Sequence, residues 1–254
     1  MGMRKQGHAL TPQRARALGS ALAIVEPLML LLCPVVLILC AVLRVESTVL
    51  MTTFVALFSF VPFVLRFELR RPQPADIMPI AVLSAAAIVG RIAFAAIPNA
   101  QPVSAIVIFA GIWFGRQSGY LTGAFTALVS NMVLGQGMWT PWQMYAWGLM
   151  GFLAGVFFSR DAAAGFQSRA RRILVYSFGA VASILFGIVM DVWYIIGFLQ
   201  DLSPGAVMAA FGAGATLNIL HVACTVVFLR LMLVPWGKKI RRIQTKYKSA
   251  SSRR

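Results

Sequence analysis

Hydrophobic residues in this chain form long runs, separated by short stretches that hold charges, prolines or glycines. A helix needs about 20 apolar residues to cross the roughly 30 Å hydrocarbon core of a bilayer. We predict eight helices, over 27–43, 48–65, 77–97, 103–115, 118–135, 142–159, 173–198 and 205–234. The pattern therefore predicts an all-α integral membrane protein that crosses the bilayer several times.

The fourth predicted helix is short for a complete span. Residues 103–115 rise only about 20 Å as an α-helix. This segment must therefore be tilted, irregular or shielded from lipid by neighbouring helices. The prediction of eight crossings depends on it.

Composition supports a lipid environment, and the charge distribution predicts an orientation. Of the 254 residues, 59% are hydrophobic and 12% are charged, whereas about 25% are charged in an average soluble domain. The net charge of +16 lies mainly in the two tails and in alternate loops, namely Arg66, Arg70, Arg71, Arg116, Arg160, Arg169, Arg171 and Arg172. The other set of loops holds only Arg44. This positive-inside pattern predicts that both termini are cytoplasmic.

The basic tails suit contact with membrane lipid rather than with nucleic acid. Clusters of Lys and Arg beside a span favour anionic headgroups, and no motif that reads RNA or DNA accompanies the charge. We predict five segments: a basic cytoplasmic tail over 1–26, two N-terminal transmembrane helices over 27–65, a cytoplasmic linker over 66–76, a six-helix membrane core over 77–234, and a second basic cytoplasmic tail over 235–254.

Small residues recur four positions apart in the core segment. This spacing lets helix backbones approach closely in lipid. The pairs are Ala81 with Ala85, Ala86 with Gly90, Gly119 with Gly123, Gly151 with Gly155, and Ala206 with Ala210. Each pair indicates either packing inside the bundle or a surface that docks a partner.

The motifs of common enzyme and ATPase sites do not occur in the sequence. It contains no GxxxxGK[ST] phosphate loop, no HExxH metal pair and no GxSxG nucleophile elbow. Cys33, Cys40 and Cys224 lie in apolar runs without CxxC spacing, which is typical of packing residues. We therefore expect no enzyme, no cofactor and no metal site in this chain.

Three ionisable residues lie inside predicted spans, where they are costly and are functional candidates. Arg91 and Asp191 reach similar depths in the outer half of the membrane, so they form an ion pair or contact a ligand. His221 is deeper, and a lone histidine there is typical of packing. Asp191 is also the only carboxylate available to an ion-coupled carrier.

The predicted outer loops carry amides and aromatic residues with little charge. They cover 98–102, 135–143 and 200–204. Trp and Tyr occur in ordinary interfacial belts, but an apolar pocket with a few amides is also what a small amphipathic ligand requires. Both interpretations stay open at this point.

Three stretches of the core resemble a known family. They are RIAFAAIPNAQPVSAIVIFAGIWFG, GYLTGAFTALVSN and GQGMWTPWQMYAWGLMGFLAG. They resemble the substrate-specific S components of energy-coupling factor (ECF) vitamin transporters, and the resemblance covers about 66–234. The preceding FELRRP is similar to the lead-in of a branch with extra N-terminal helices. Met138 departs from the family pattern, which has proline there.

The resemblance implies a six-helix bundle in a prokaryotic cell membrane that binds a vitamin or its precursor at its outer face. It also implies docking on a membrane coupling subunit driven by two cytosolic ATPases. The small-residue docking motif of the family matches Ala81 with Ala85, or Ala86 with Gly90. The substrate-binding candidates are Arg91, Asn99, Gln101, Asn131, Gln136, Trp139, Trp142, Gln143 and Asp191.

The first substrate that the resemblance suggests is a corrinoid such as cobalamin, because the leading segment looks similar to proposed cobalamin S components. Two other readings stay open. One is a membrane scaffold or assembly protein without a small-molecule ligand, and the other is an ion-coupled carrier.

Overall fold

The computed structural model describes residues 12–43, 48–69, 72–200 and 202–251. These residues form only α-helices, which confirms the predicted all-α class. The nine helices of this part are α1 Pro12–Val42, α2 Thr48–Phe58, α3 Val61–Leu69, α4 Pro74–Ala93, α5 Val103–Phe114, α6 Arg116–Leu134, α7 Thr140–Ala164, α8 Arg169–Phe198 and α9 Pro204–Ser251.

The second predicted helix is divided into α2 and α3. The break lies at Ser59 and Phe60, just before Pro62. Proline has no N–H to donate to the carbonyl four residues earlier, and its ring clashes with that carbonyl. Together the two pieces still have the length and apolarity of one span, Val49–Leu69.

The first and last helices extend beyond their apolar runs. Helix α1 begins at Pro12 rather than near residue 27, and α9 continues to Ser251 rather than ending near residue 234. Hydropathy marks only the part of a helix that lies in lipid, whereas Arg, Lys, Gln and Ala continue a helix readily in water.

Helix α5 is the centre of the bundle. It contacts α4, α6, α7, α8 and α9, and eleven of its twelve residues are buried. Of the three explanations for its short length, shielding by neighbours is therefore confirmed. In the described part of the chain, five helices are long and apolar enough to cross a membrane. The total of eight crossings stays a prediction.

Glycine allows α5, α6 and α7 to pack backbone against backbone. A Cβ atom at Gly119 would meet the backbone of Gly111 and Gly151, and one at Gly155 would meet that of Arg116. Small residues of this kind are typical of close helix contacts in lipid. The predicted glycine pairs of α6 and α7 therefore pack inside the bundle.

The two N-terminal helices pack on one side of this core. Phe63 of α3 stacks on Tyr120 of α6 with ring centroids 3.6 Å apart, a contact worth about 0.5–1.5 kcal/mol beyond area burial. The Tyr145 hydroxyl of α7 donates to the Leu30 carbonyl of α1 at 2.6 Å. These specific contacts join the two N-terminal transmembrane segments to the core.

A buried ionic cluster strengthens this joint. Arg66 of α3 pairs with the fully buried Glu26 of α1. Gln117 at the start of α6 donates from Nε2 to Glu26 Oε1 at 2.7 Å. One carboxylate therefore holds α1, α3 and α6 together.

Candidate ligand-binding site

Arg91 lies in the last turn of α4, at the end that the charge pattern predicts to be the outer one, and is half-buried. Its guanidinium donates to three neutral oxygens: Ser130 Oγ, Asn131 Oδ1 at 2.7 Å and Gln143 Oε1 at 3.4 Å. It also lies over the Trp147 ring, 5.0 Å from the centroid, in a cation–π contact. We call these five residues the Arg91 cluster.

Arg91 does not form an ion pair with Asp191, so the pairing alternative for these two residues is wrong. Within the described ranges, Arg66 and Arg116 lie beside Glu26 and Arg171 beside Asp161, whereas Arg91 makes no ion pair. Asp191 of α8 instead accepts a hydrogen bond from Asn218 Nδ2 of α9 at 2.8 Å. Equal depth along two helices did not bring the two side chains together, because they face different neighbours.

A chain of hydrogen bonds holds the amides of the cluster. Asn131 Nδ2 donates to Gln143 Oε1 and to Thr140 Oγ1, both at 2.8 Å. Thr140 Oγ1 donates in turn to Gln136 Oε1 at 2.8 Å. The oxygens of Asn131 and Gln143 are thereby directed at Arg91.

The local sequence explains why these amides meet. Helix α6 ends at Leu134 and is followed by Gly135, whose φ of 114° is a conformation that glycine adopts without strain. Helix α7 restarts within a few residues, with Pro141 in its first turn. This short turn brings Asn131 at the end of α6 beside Gln143 at the start of α7.

Beyond Trp147, the polar contacts continue into the bundle. Trp147 Nε1 donates to Ser104 Oγ at 3.1 Å, and Ser104 Oγ lies 2.6 Å from His221 Nε2. Phe186 stacks on Trp147 with centroids 4.9 Å apart and meets His221 edge-on at 5.0 Å. His221 is fully buried, as expected of a packing residue, but it also belongs to this polar chain.

Four members of this arrangement were not predicted from the sequence: Ser104, Ser130, Thr140 and Trp147 as a contact of Arg91. The signal for Trp147 was its position one helical turn after Gln143, which puts both on the same face of α7. Hydroxyl residues such as Ser104 give no comparable signal, because serine is common in membrane helices.

Neither of the two candidate tryptophans makes a hydrogen bond or a cation–π contact with Arg91. Trp139 is 38% exposed in the turn before α7. Trp142 is buried, with its ring centroid 6.0 Å from that of Tyr145. Since Tyr145 bonds to Leu30 of α1, Trp142 lies on the side of α7 that faces the N-terminal helices.

Asn99 and Gln101 lie in the segment that joins α4 to α5, and both are half-buried. Asn99 has a positive φ of 58°, and its carbonyl accepts from the Gln101 N–H at 3.2 Å. No hydrogen bond joins either side chain to the Arg91 cluster. The structure thus brings together Arg91, Asn131, Gln136 and Gln143 among the predicted ligand residues.

The candidate docking residues of α4 divide into two sets. Ala81 and Ala85 are exposed and line an apolar groove of about 490 Å³ between α3, α4 and α6. Ala86 is half-buried and packs against the core. A Cβ atom at Gly90 would meet the Pro102 ring, so this second pair makes internal contacts.

Comparison with known families gives one match. The family described as "ECF transporter, substrate-specific component" matches residues 76–242. This range begins in α4 and ends in α9, so it includes the whole Arg91 cluster and leaves the N-terminal pair outside. No curated protein and no solved structure matches the chain.

Proposed function

Because this chain belongs to the family of ECF transporter substrate-specific components, we propose that it captures a vitamin or related micronutrient at the outer face of the membrane. Members of the family are transporter subunits of the prokaryotic plasma membrane, and their role is micronutrient uptake. The substrate is then delivered to the cytoplasm with energy supplied by other subunits.

The Arg91 cluster is the observation that supports this proposal. A charged residue inside a membrane span is costly and tends to mark a substrate path. Amides and an aromatic ring surround Arg91, and these groups suit recognition of a small polar ligand. Gln136 and the more distant Asn99 and Gln101 extend the polar surface along the neighbouring turns.

The first substrate that we propose to test is a corrinoid such as cobalamin. Its support is the similarity of FELRRP and of the two extra helices to the branch of proposed cobalamin S components. A panel of other vitamins belongs in the same screen, because this similarity lies outside the matched range.

The partners that we propose are a membrane coupling subunit and two cytosolic ATPase subunits. The chain has no phosphate-binding loop of its own. The groove with Ala81 and Ala85 is our candidate docking surface, because small exposed residues let a partner helix approach closely. It lies beside the linker over 66–76, which the positive-inside pattern puts in the cytoplasm.

The orientation can be tested with reporter fusions. We expect a C-terminal phosphatase fusion to be inactive and a C-terminal fluorescent protein to be bright, because both termini should be cytoplasmic. An active phosphatase fusion would reverse the orientation.

The function can be tested by uptake together with binding. Cells that express the full chain with a complete ECF module should accumulate one radiolabelled vitamin, and the purified chain in detergent should bind the same vitamin. Uptake should stop when the ECF ATPases are deleted. Uptake that persists without them would support an ion-coupled carrier, and failure to bind any vitamin at micromolar concentration would support a scaffold.

A further inference from the structure

We propose that Arg91 binds an oxyanion group of the substrate, a carboxylate or a phosphate. This inference rests on the proposed function and narrows its substrate class. It predicts that the chain prefers micronutrients that carry a carboxylate or phosphate group to compounds of the same size that lack one.

The charge of the site favours an anionic ligand. Arginine stays protonated in proteins, and inside a membrane it normally pairs with a counter-ion or serves a function. In the described part of the chain, Arg66 has such a partner in Glu26, whereas Arg91 makes no ion pair. The Arg91 cluster therefore carries a positive charge that a bound anion would balance.

The hydrogen bonding of the guanidinium also favours an anionic ligand. Its donors are directed at oxygens of Ser130, Asn131 and Gln143, all of them neutral. A carboxylate or phosphate adds the attraction of opposite charges that a neutral oxygen lacks, and its two oxygens match the forked donors of arginine. A carboxylate or phosphate that reaches Arg91 can therefore replace these acceptors, and it can do so through two parallel bonds.

The neighbouring amide of Gln143 can also serve an anionic ligand. An amide side chain carries both an acceptor oxygen and an NH₂ donor. Gln143 now presents its oxygen to Arg91. After an anion takes that donor, rotation of the Gln143 amide turns its NH₂ toward the bound oxygen, while Asn131 keeps its hydrogen bond to Thr140. Gln143 thus serves the empty and the occupied site.

Trp147 holds the guanidinium in place. It contacts Arg91 through its ring and bonds to Ser104 through Nε1 at 3.1 Å. The cation–π contact attracts the guanidinium without neutralising its charge. We therefore assign Trp147 as a positioning residue and Arg91 as the group that touches the substrate.

The test uses pairs of probes that differ only in the acidic group. Biotin with biotinamide, pantothenate with panthenol, nicotinate with nicotinamide, and pyridoxal phosphate with pyridoxal are bound to the purified full chain, beside cobalamin. We expect binding of an acidic member, with at least tenfold lower affinity for its neutral counterpart. This comparison needs no variant, so it stands even if a substitution prevents folding.

Two variants locate the effect at Arg91. Arg91→Gln should lower the affinity for the acidic probe at least tenfold and leave that for the neutral counterpart within threefold. Arg91→Lys keeps the charge without the forked donors, so its affinity should lie between those of Arg91→Gln and the unmodified chain. Arg171→Gln removes an exposed arginine on the predicted cytoplasmic side and should change neither affinity.

The outcomes separate this inference from the proposed function. If no vitamin binds, the proposed function fails and the inference fails with it. If a vitamin binds, but its neutral counterpart binds equally well or Arg91→Gln leaves the affinity unchanged, the oxyanion assignment is wrong while the proposed function stands.

Discussion

The two halves of this protein, called inner and outer after the orientation that the positive-inside pattern predicts, surround arginine with different partners. In the inner half, Arg66 is paired with Glu26, and Gln117 completes the hydrogen bonding of that carboxylate. In the outer half, Arg91 has neutral acceptors and an aromatic ring. The paired charge joins three helices, whereas Arg91 has no counter-ion in the described part of the chain, and we propose that a ligand supplies one.

This difference assigns roles to the two regions. A buried ion pair contributes little net stability over an apolar pair, but loss of one partner leaves a costly lone charge. The inner half therefore combines a helix joint with an open apolar groove on α4. In the outer half, neutral oxygens accept the hydrogen bonds of Arg91, and an anionic ligand can replace them.

The largest effect should follow from filling the groove. Ala85→Trp should abolish ATP-driven uptake and leave ligand affinity unchanged, because the indole blocks a partner helix without reaching the Arg91 cluster. The measurements are uptake in cells, and affinity and melting temperature of the purified chain.

Two variants of the same helix control this result. Val82 is exposed but does not line the groove, so Val82→Trp should retain uptake. Ala86 packs against the core, so Ala86→Trp should destabilise the protein by about 1–3 kcal/mol through overpacking. Loss of binding in Ala85→Trp would refute the docking assignment.

The next effect concerns the inner ionic cluster. Glu26→Gln leaves Arg66 buried without a counter-charge, and we expect a loss of about 3–5 kcal/mol in the free energy of unfolding. Thermal unfolding in detergent measures this loss. The double variant Glu26→Leu with Arg66→Leu should recover much of it. An unchanged melting temperature in Glu26→Gln would show that the pair does not support the joint.

Arg91 should behave in the opposite way. Arg91→Gln should lower substrate affinity by at least tenfold, or about 1.4 kcal/mol, while its melting temperature falls less than that of Glu26→Gln. The reason is that no buried counter-ion is left alone when Arg91 is removed. A large loss of stability with unchanged affinity would make Arg91 a structural residue like Arg66.

The smallest effect should come from Trp147→Phe. Phenylalanine keeps an aromatic face under Arg91 but removes the hydrogen bond to Ser104, which is worth about 0.5–1.5 kcal/mol. We expect a modest decrease in affinity, without loss of selectivity for the acidic probe. Equal affinities for acidic and neutral probes in this variant would move the recognition role from Arg91 to Trp147.

Much of the fold could be predicted from the sequence, because lipid demands apolar helices. The bounds of α4 and α8 agree with the predicted spans within a few residues. The starts and ends of the longest helices could not be predicted in this way. At Pro12 and Ser251 the helix lies beyond the apolar run, and the preference for helix there is not a matter of hydropathy.

The candidate site was only partly predictable. Arg91, Asn131 and Gln143 could be predicted, because polar residues at membrane depth or at helix ends stand out in the sequence. The contact between Ser104 and His221 joins residues 117 positions apart, and only tertiary packing decides it. The alternative in which Arg91 pairs with Asp191 failed because sequence gives depth along a helix but not the neighbour that each side faces.

The most direct test of the central claim is to identify the small molecule that co-purifies with the full chain from its native host. Mass spectrometry of the extracted ligand should show a vitamin or vitamin precursor that carries a carboxylate or phosphate, and Arg91→Gln prepared in parallel should lose it. A neutral or cationic compound retained equally by both proteins would contradict the account.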